Sequence, residues 1–124
     1  MKVLLSIKPE FVEKIFAGTK KYEFCKALFK RDDVTKVVIY ASSPIKRVVG
    51  EFTIESILSD DVNTIWEQTK KDSGITKDFY NSYFDKKQRA NAIKIGHLTK
   101  YEKARFLSDY NINQAPQSFC YILE

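Results

Sequence analysis

The sequence predicts a mixed α+β fold: a small β-barrel of five to six strands with an early helix and a helical insertion. Three observations predict it. Short apolar runs, several with two-residue alternation, recur through the chain. Helical spacing interrupts them in two places, just after the first run and in the stretch from Asp60 to Phe84. A final run near residue 120 is placed to close the sheet. At 124 residues the chain reads as one domain, 1–124, able to bury roughly two-thirds of its unfolded surface without a disulfide or metal.

Val3–Ile7 is a short apolar strand. Pro9 suits the first position of a helix, where its missing N–H costs nothing. Phe11, Val12, Ile15 and Phe16 follow at helical spacing, and Gly18 suits the C-cap. Lys21–Cys25 alternates, with Tyr22 and Phe24 directed to the core and Glu23 to solvent or a cleft. Val34–Tyr40 is a buried strand, ended by Ala41-Ser42-Ser43-Pro44. Arg47–Leu58 is the next, and Gly50 inside it signals a bulge or a close backbone approach. Asp60 or Asp61 can cap a helix carrying Val62, Ile65 and Trp66. Thr76 can cap another, with Phe79, Tyr80, Tyr83 and Phe84 on its apolar side. Ala90–Tyr101 is a strand, Ala104–Tyr110 one or two helical turns, and Ser118–Leu123 the closing strand.

The net charge of +5 suits a polyanionic partner, but the basic residues are dispersed, which argues against a disordered basic tail. Two distant cysteines and a single histidine offer no zinc-binding spacing and little for thiol or serine catalysis, so no metal and no cofactor is expected. No segment approaches the roughly 20 apolar residues of a membrane span. Val3-Leu4-Leu5 is too short for a signal peptide. A cytoplasmic protein without a membrane partner is the expectation.

Four stretches carry a resemblance to a known family. LLSIKPEFVEKIFAGTKKYEF contains a G-x-K-x-x-E pattern at Gly18, Lys20 and Glu23. VVIYASSPIKRVVGEFTI, ANAIKIGHL and APQSFCYI follow in order. Together they resemble the ASCH domain family of the PUA-like superfamily, in its compact, stand-alone prokaryotic or phage form. The resemblance implies a PUA-like barrel with a cleft beside the first helix and the motif strand, and RNA or a nucleotide-like molecule as partner. The family pattern G-x-K-x-x-E-x-R ends in arginine, where this chain has Cys25. Lys26, as the next strand residue, is expected on the opposite face, so Lys8, Lys21 or Lys46 are the candidate substitutes for the missing cation.

The candidate ligand-binding residues are Lys8, Gly18, Lys20, Lys21, Glu23, Ser42, Ser43, Lys46, Gln117 and Ser118. A lysine supplies charge and donors for a phosphate or carbonyl, and a glutamate accepts from a base edge. Each also has a plainer reading: Lys20 and Glu23 as a surface ion pair, Ser42 and Ser43 as a turn, Gln117 and Ser118 as the lead into a strand. Most aromatic rings, Trp66 included, are expected in the core. Three functions stay open. One is an RNA- or modified-nucleotide-binding module, regulatory in role. The second is a small hydrolase of an acylated nucleoside or of RNA, in which Lys20 and Glu23, or Glu51, carry the chemistry. Related acetylcytidine amidohydrolases have a threonine nucleophile where this chain has Glu23, which counts against that mechanism. The third is a non-catalytic interaction scaffold, for instance in transcription.

Overall fold

The computed structural model describes residues 1–123. In chain order the elements are β1 (Lys2–Ile7), α1 (Pro9–Ala17), β2 (Tyr22–Cys25), β3 (Lys36–Ala41), β4 (Arg47–Asp61), α2 (Val62–Thr69), α3 (Lys77–Tyr83), β5 (Arg89–Arg105) and β6 (Phe119–Ile122). Short 3-10 turns at Lys70–Asp72 and Leu107–Tyr110 follow α2 and β5. The class is mixed α+β, with six strands, the early helix and the helical insertion where the sequence places them. The long strands run past their expected ends. β5 absorbs Ala104 and Arg105, which leaves one 3-10 turn where helix was expected.

The helix ends follow local chemistry. Pro9 opens α1, and Gly18 closes it at φ 84°, its N–H donating to the Ile15 carbonyl oxygen at 3.1 Å. Asp61 caps α2 by accepting from the Thr64 N–H at 3.0 Å. Thr76 caps α3 by accepting from the Phe79 N–H at 3.0 Å.

The sheet order is β2-β5-β4-β3-β1-β6. β1 and β3 run parallel, joined by a crossover that contains α1, and the other neighbours are antiparallel. Gly50 sits at a register shift between β4 and β5. A Cβ there would lie 2.5 Å from the Thr99 carbonyl oxygen and 2.8 Å from Phe16 Cζ, so only glycine lets α1 approach this closely.

The expected closure of the barrel is corrected. β2 pairs with β5 and β6 with β1, and the two end strands do not pair with each other. Each is only four residues long. The space between β2 and β1 is flanked by Ser6, Glu23, Phe24 and Gln117, which surround an opening instead of continuing a ladder.

Alternation on the strands divides the core. Val3, Leu5 and Ile7 pack with Val37, Ile39, Val12 and Ile15 beneath α1. Leu4, Val38 and Val48 face the other side, covered by Leu107, Tyr110 and Ile112. A third cluster joins Phe24, Ala90 and Ala92 to Ile65, Tyr80 and Phe84 of the inserted segment. That cluster fixes α3 against β2, and with it one wall of the opening.

Candidate ligand cleft

The opening between β1 and β2 is a cleft with two lobes of about 220 and 210 Å³, which share Ser6, Glu23, Phe24, Tyr83 and Gln117. Its floor is built by the turn after α1. Gly18 ends the helix, and two residues later Lys20 is driven inward to 2 % exposure. Its Nζ donates to the Ser73 carbonyl oxygen at 2.8 Å and lies 4.0 Å from Glu23 Oε1. The ring centroids of Phe24 and Phe11 lie 4.9 and 5.3 Å from the same nitrogen. Burial pushes the Lys20 pKa below its ordinary value, against the pull of Glu23, and Lys14 lowers it further. Burial likewise raises the Glu23 carboxyl, against the opposing charge of Lys20. One Lys20 proton is committed to Ser73, which leaves two donors beside a carboxylate acceptor on the cleft floor.

The wall is aromatic. Phe79 and Tyr83 stand one turn apart on α3 with parallel rings, 11° between planes and 6.3 Å between centroids. A lysine stands over each. Lys8 Nζ is 5.1 Å from the Phe79 centroid, and Lys26 Nζ is 4.6 Å from the Tyr83 centroid. The Tyr83 hydroxyl donates to the Phe24 carbonyl oxygen at 3.4 Å, and burial pushes it up to about 12, so it stays protonated. The cleft therefore offers two rim cations, two ring faces, and a donor–acceptor pair at its base.

The structure brings together Lys8, Lys20, Glu23, Gln117 and Ser118 around the two lobes. Gly18 does not line them; it sets the turn that delivers Lys20. Lys21 is exposed, with its backbone tied to Asp72 and Ile95. Ser42, Ser43 and Lys46 form the β3–β4 turn and are not among the lining residues of either lobe. Glu51 lies on β4, where its Oε1 accepts from the Tyr101 hydroxyl at 2.7 Å and from Lys2 at 3.4 Å.

Lys26 corrects the sequence reading. The chain bends after Cys25, and the bend returns Lys26 to the second lobe instead of the opposite face. A cation thus stands next to the position where the motif has arginine. Burial pushes the Cys25 thiol up to about 12, with Glu23 adding to the effect, so it is no nucleophile at neutral pH. Phe11, Phe79, Tyr83 and Ser6 also line the cleft and were not singled out as ligand residues in the sequence. The signal for Phe79 and Tyr83 is the apolar stripe of α3 and its C-cap, which contains two i,i+4 lines, Phe79/Tyr83 and Tyr80/Phe84. Only the second is fully buried. Among the described residues, no three His, Cys, Asp or Glu side chains are grouped to hold a metal ion. No helix among them is long and apolar enough to cross a membrane.

The profile of a family described as "Domain of unknown function (DUF365)" matches residues 1–112. The chain is 31% identical over 120 residues to the large ribosomal subunit protein uL22 of Ureaplasma parvum serovar 3, covering 97% of this chain and 39% of that protein. It is 33% identical over 121 residues to the ATP synthase subunit alpha of the same organism, of which it covers 15%. It is also 31% identical over 90 residues to an ASCH domain-containing ribonuclease of Zymomonas mobilis, covering 73% of this chain and 61% of that protein. The chain thus spans less than two-thirds of the length of each of these relatives. The crystal structure of ASCH from Zymomonas mobilis matches with a TM-score of 0.89 at 26% identity, over 99% of this chain and 88% of that one. The N-terminal domain of Staphylothermus marinus McrB shares the fold, with a TM-score of 0.50 at 14% identity over 89% of this chain and 78% of that one.

Proposed function

The chain belongs to the DUF365 family and carries an ASCH domain, and from that premise we propose that it binds RNA or a nucleotide-like ligand in the cleft between β1 and β2. One observation carries the reading: Lys8 and Lys26 stand over the parallel rings of Phe79 and Tyr83, with the Lys20–Glu23 pair below. Phosphates meet the rim lysines, a base meets the aromatic wall, and its polar edge meets Glu23 and Lys20. The name of one relative, a ribonuclease, supports RNA as the ligand class. A cytoplasmic site of action accords with two free thiols.

RNA cleavage is the second reading, and Lys20 favours it. Lys20 Nζ lies 4.0 Å from Glu23 Oε1, and burial shifts the lysine pKa downward, the direction that general acid–base chemistry by an amine requires. The name of the Zymomonas relative points the same way.

The test is a fluorescence-anisotropy titration of a short oligoribonucleotide at several salt concentrations. Two phosphate contacts give a slope of about −1.4 in log affinity against log salt. Lys8→Ala together with Lys26→Ala removes most of that slope. No binding, or an affinity independent of salt, rejects the reading. Incubating the same RNA with wild type and Lys20→Met decides the second reading: cleavage that Lys20→Met abolishes supports it, and RNA left intact by the wild type rejects it.

A further inference from the structure

The cleft uses only part of the positive surface. β2 pairs with β5 from Asn91 to Lys94, and the Ile95 N–H then donates to the Lys21 carbonyl oxygen at 2.9 Å. Beyond that point β5 continues to Arg105, paired with β4 at Thr99 and Lys100 and again at Arg105 across a bulge at residues 101–104, with no strand, among the described residues, on its other side. A groove of about 580 Å³ follows this free edge, lined by the unbroken run Thr99–Phe106 and by Asp109.

Lys100, Lys103 and Arg105 bring three positive charges to the groove. Glu102 and Asp109 oppose them, but the Asp109 carboxylate already accepts from the Phe106 N–H at 2.9 Å. Phe106 is 51% exposed, with the Arg47 guanidinium 4.3 Å from its ring centroid. Edge lysines alone would be explained as a guard against strand pairing. A guard does not require a large aromatic ring left in solvent beneath an arginine. A second copy of the chain is disfavoured as occupant, because the same edge would bring like charges together.

The groove and the cleft open at the same end of the sheet. Ile7, which lines the cleft, pairs with Ala41; Ala41 pairs with Arg47; and Val48, next to Arg47, pairs with Arg105. Three strand spacings separate them, about 14 Å. The turn holding Ser42, Ser43 and the exposed Lys46 lies between, with the Ser42 N–H bonded to the Ile7 carbonyl oxygen at 3.0 Å.

We propose that the free edge of β5 is a second nucleic-acid contact, which binds the phosphodiester backbone of single-stranded RNA and stacks a base on Phe106. Backbone groups of this edge and the three cations meet phosphates, and the RNA continues over Lys46 into the cleft. The proposal rests on the reading of the cleft as an RNA site.

The test compares labelled oligouridylates of about four and about twelve nucleotides, the range of single-strand site sizes. The longer RNA binds wild type at least about tenfold more tightly, because only it reaches both surfaces. Lys103→Glu with Arg105→Glu removes that gain and leaves the short RNA unaffected. Phe106→Ala weakens the long RNA by about fivefold or more, as loss of one stacked base does. Lys103→Glu alone gives the same direction if loss of the Arg105–Tyr110 hydrogen bond unsettles the fold. If the short RNA binds and length adds nothing, the edge proposal fails and the cleft reading survives. If neither RNA binds, both fail. If the charge reversals spare the long RNA but abolish binding of a polyglutamate peptide, the edge is a peptide site and the proposal is overturned.

Discussion

A Cβ on Gly74 would lie 2.5 Å from Cβ of Lys20. The bare α-carbon, at φ 69°, lets the turn before α3 lie directly on the lysine stem, and the neighbouring Ser73 carbonyl oxygen accepts a hydrogen bond from Lys20 Nζ. The same turn starts the helix that carries Phe79 and Tyr83, so this contact joins the floor of the cleft to the helix that forms its wall. Gly74→Ala meets two penalties, about 1–2 kcal/mol for the left-handed backbone and about 1–3 kcal/mol for overpacking. Gly18→Ala, at φ 84° with no atom within 4 Å, meets only the first. Urea denaturation of both variants measures the difference. Equal losses would mean that packing on Lys20 is not what demands a glycine at 74.

The aromatic wall separates ring from hydroxyl. Phe79→Ala is expected to weaken RNA binding by about 1–3 kcal/mol, the usual worth of one stacked base. Tyr83→Phe keeps the ring under Lys26 and gives up only a 3.4 Å hydrogen bond, so its affinity stays within about twofold of wild type. Phe79 also touches Phe11 edge-on at 5.1 Å, so thermal melting of Phe79→Ala accompanies the titration.

Glu23 sets a pH dependence of stability. Burial raises its folded pKa above the ordinary 4.5 despite the opposing charge of Lys20. The folded state therefore holds a proton that the unfolded chain has already released. This contribution is complete below pH 4.5 and is lost as pH rises through the folded value. Relative to Glu23→Gln, wild type loses stability across that window; parallel curves from pH 4 to pH 8 would contradict it. Lys20 contributes with the opposite sign, below pH 10.5. Burial lowers its folded pKa below 10.5, so between the folded value and 10.5 the unfolded state holds more protons and stability rises with pH. Lys20→Met removes that rise.

Cys25 is expected to behave as an inert thiol. With its pKa pushed up to about 12 from an ordinary 9.0, little thiolate exists at pH 8. In a Cys120→Ala background, iodoacetamide labels it at least about tenfold more slowly than a cysteine in an unstructured peptide. Cys25→Ala leaves RNA affinity unchanged within about twofold. Rapid labelling under native conditions would place Cys25 in a more open lobe than the one described.

The features legible in the sequence are short-range. Asp61 and Thr76 cap their helices through groups three residues away, and Gly50 marks a contact that any side chain would block. Two-residue alternation assigns Phe24 to the core and turns Glu23 into the cleft. What escaped the sequence depends on distant partners or on a single bend. Sheet closure is decided by whether β2 reaches β6, and no local pattern records that. Lys26 was assigned the wrong face because alternation was carried one residue past the end of β2. Phe79 and Tyr83 share the apolar side of α3 with Tyr80 and Phe84. The stripe is wider than the core that receives it, and spacing alone does not say which line stays uncovered.

The cleft joins residues that are far apart in time as well as in sequence. Ser6 donates its hydroxyl proton to the Pro116 carbonyl oxygen at 3.0 Å, across 110 positions, and Gln117 and Ser118 complete the two lobes beside it. β1 leaves the ribosome before β6, and its edge waits for that strand until the intervening residues have been made. At about 5–20 residues per second, that interval is on the order of 6–20 s. Through it the nascent chain carries an incomplete pocket and an unpaired β1 edge. A chain stalled before residue 116 has most of its sheet and lacks this rim of the cleft, so ligand capture waits for the synthesis of residues 116–118.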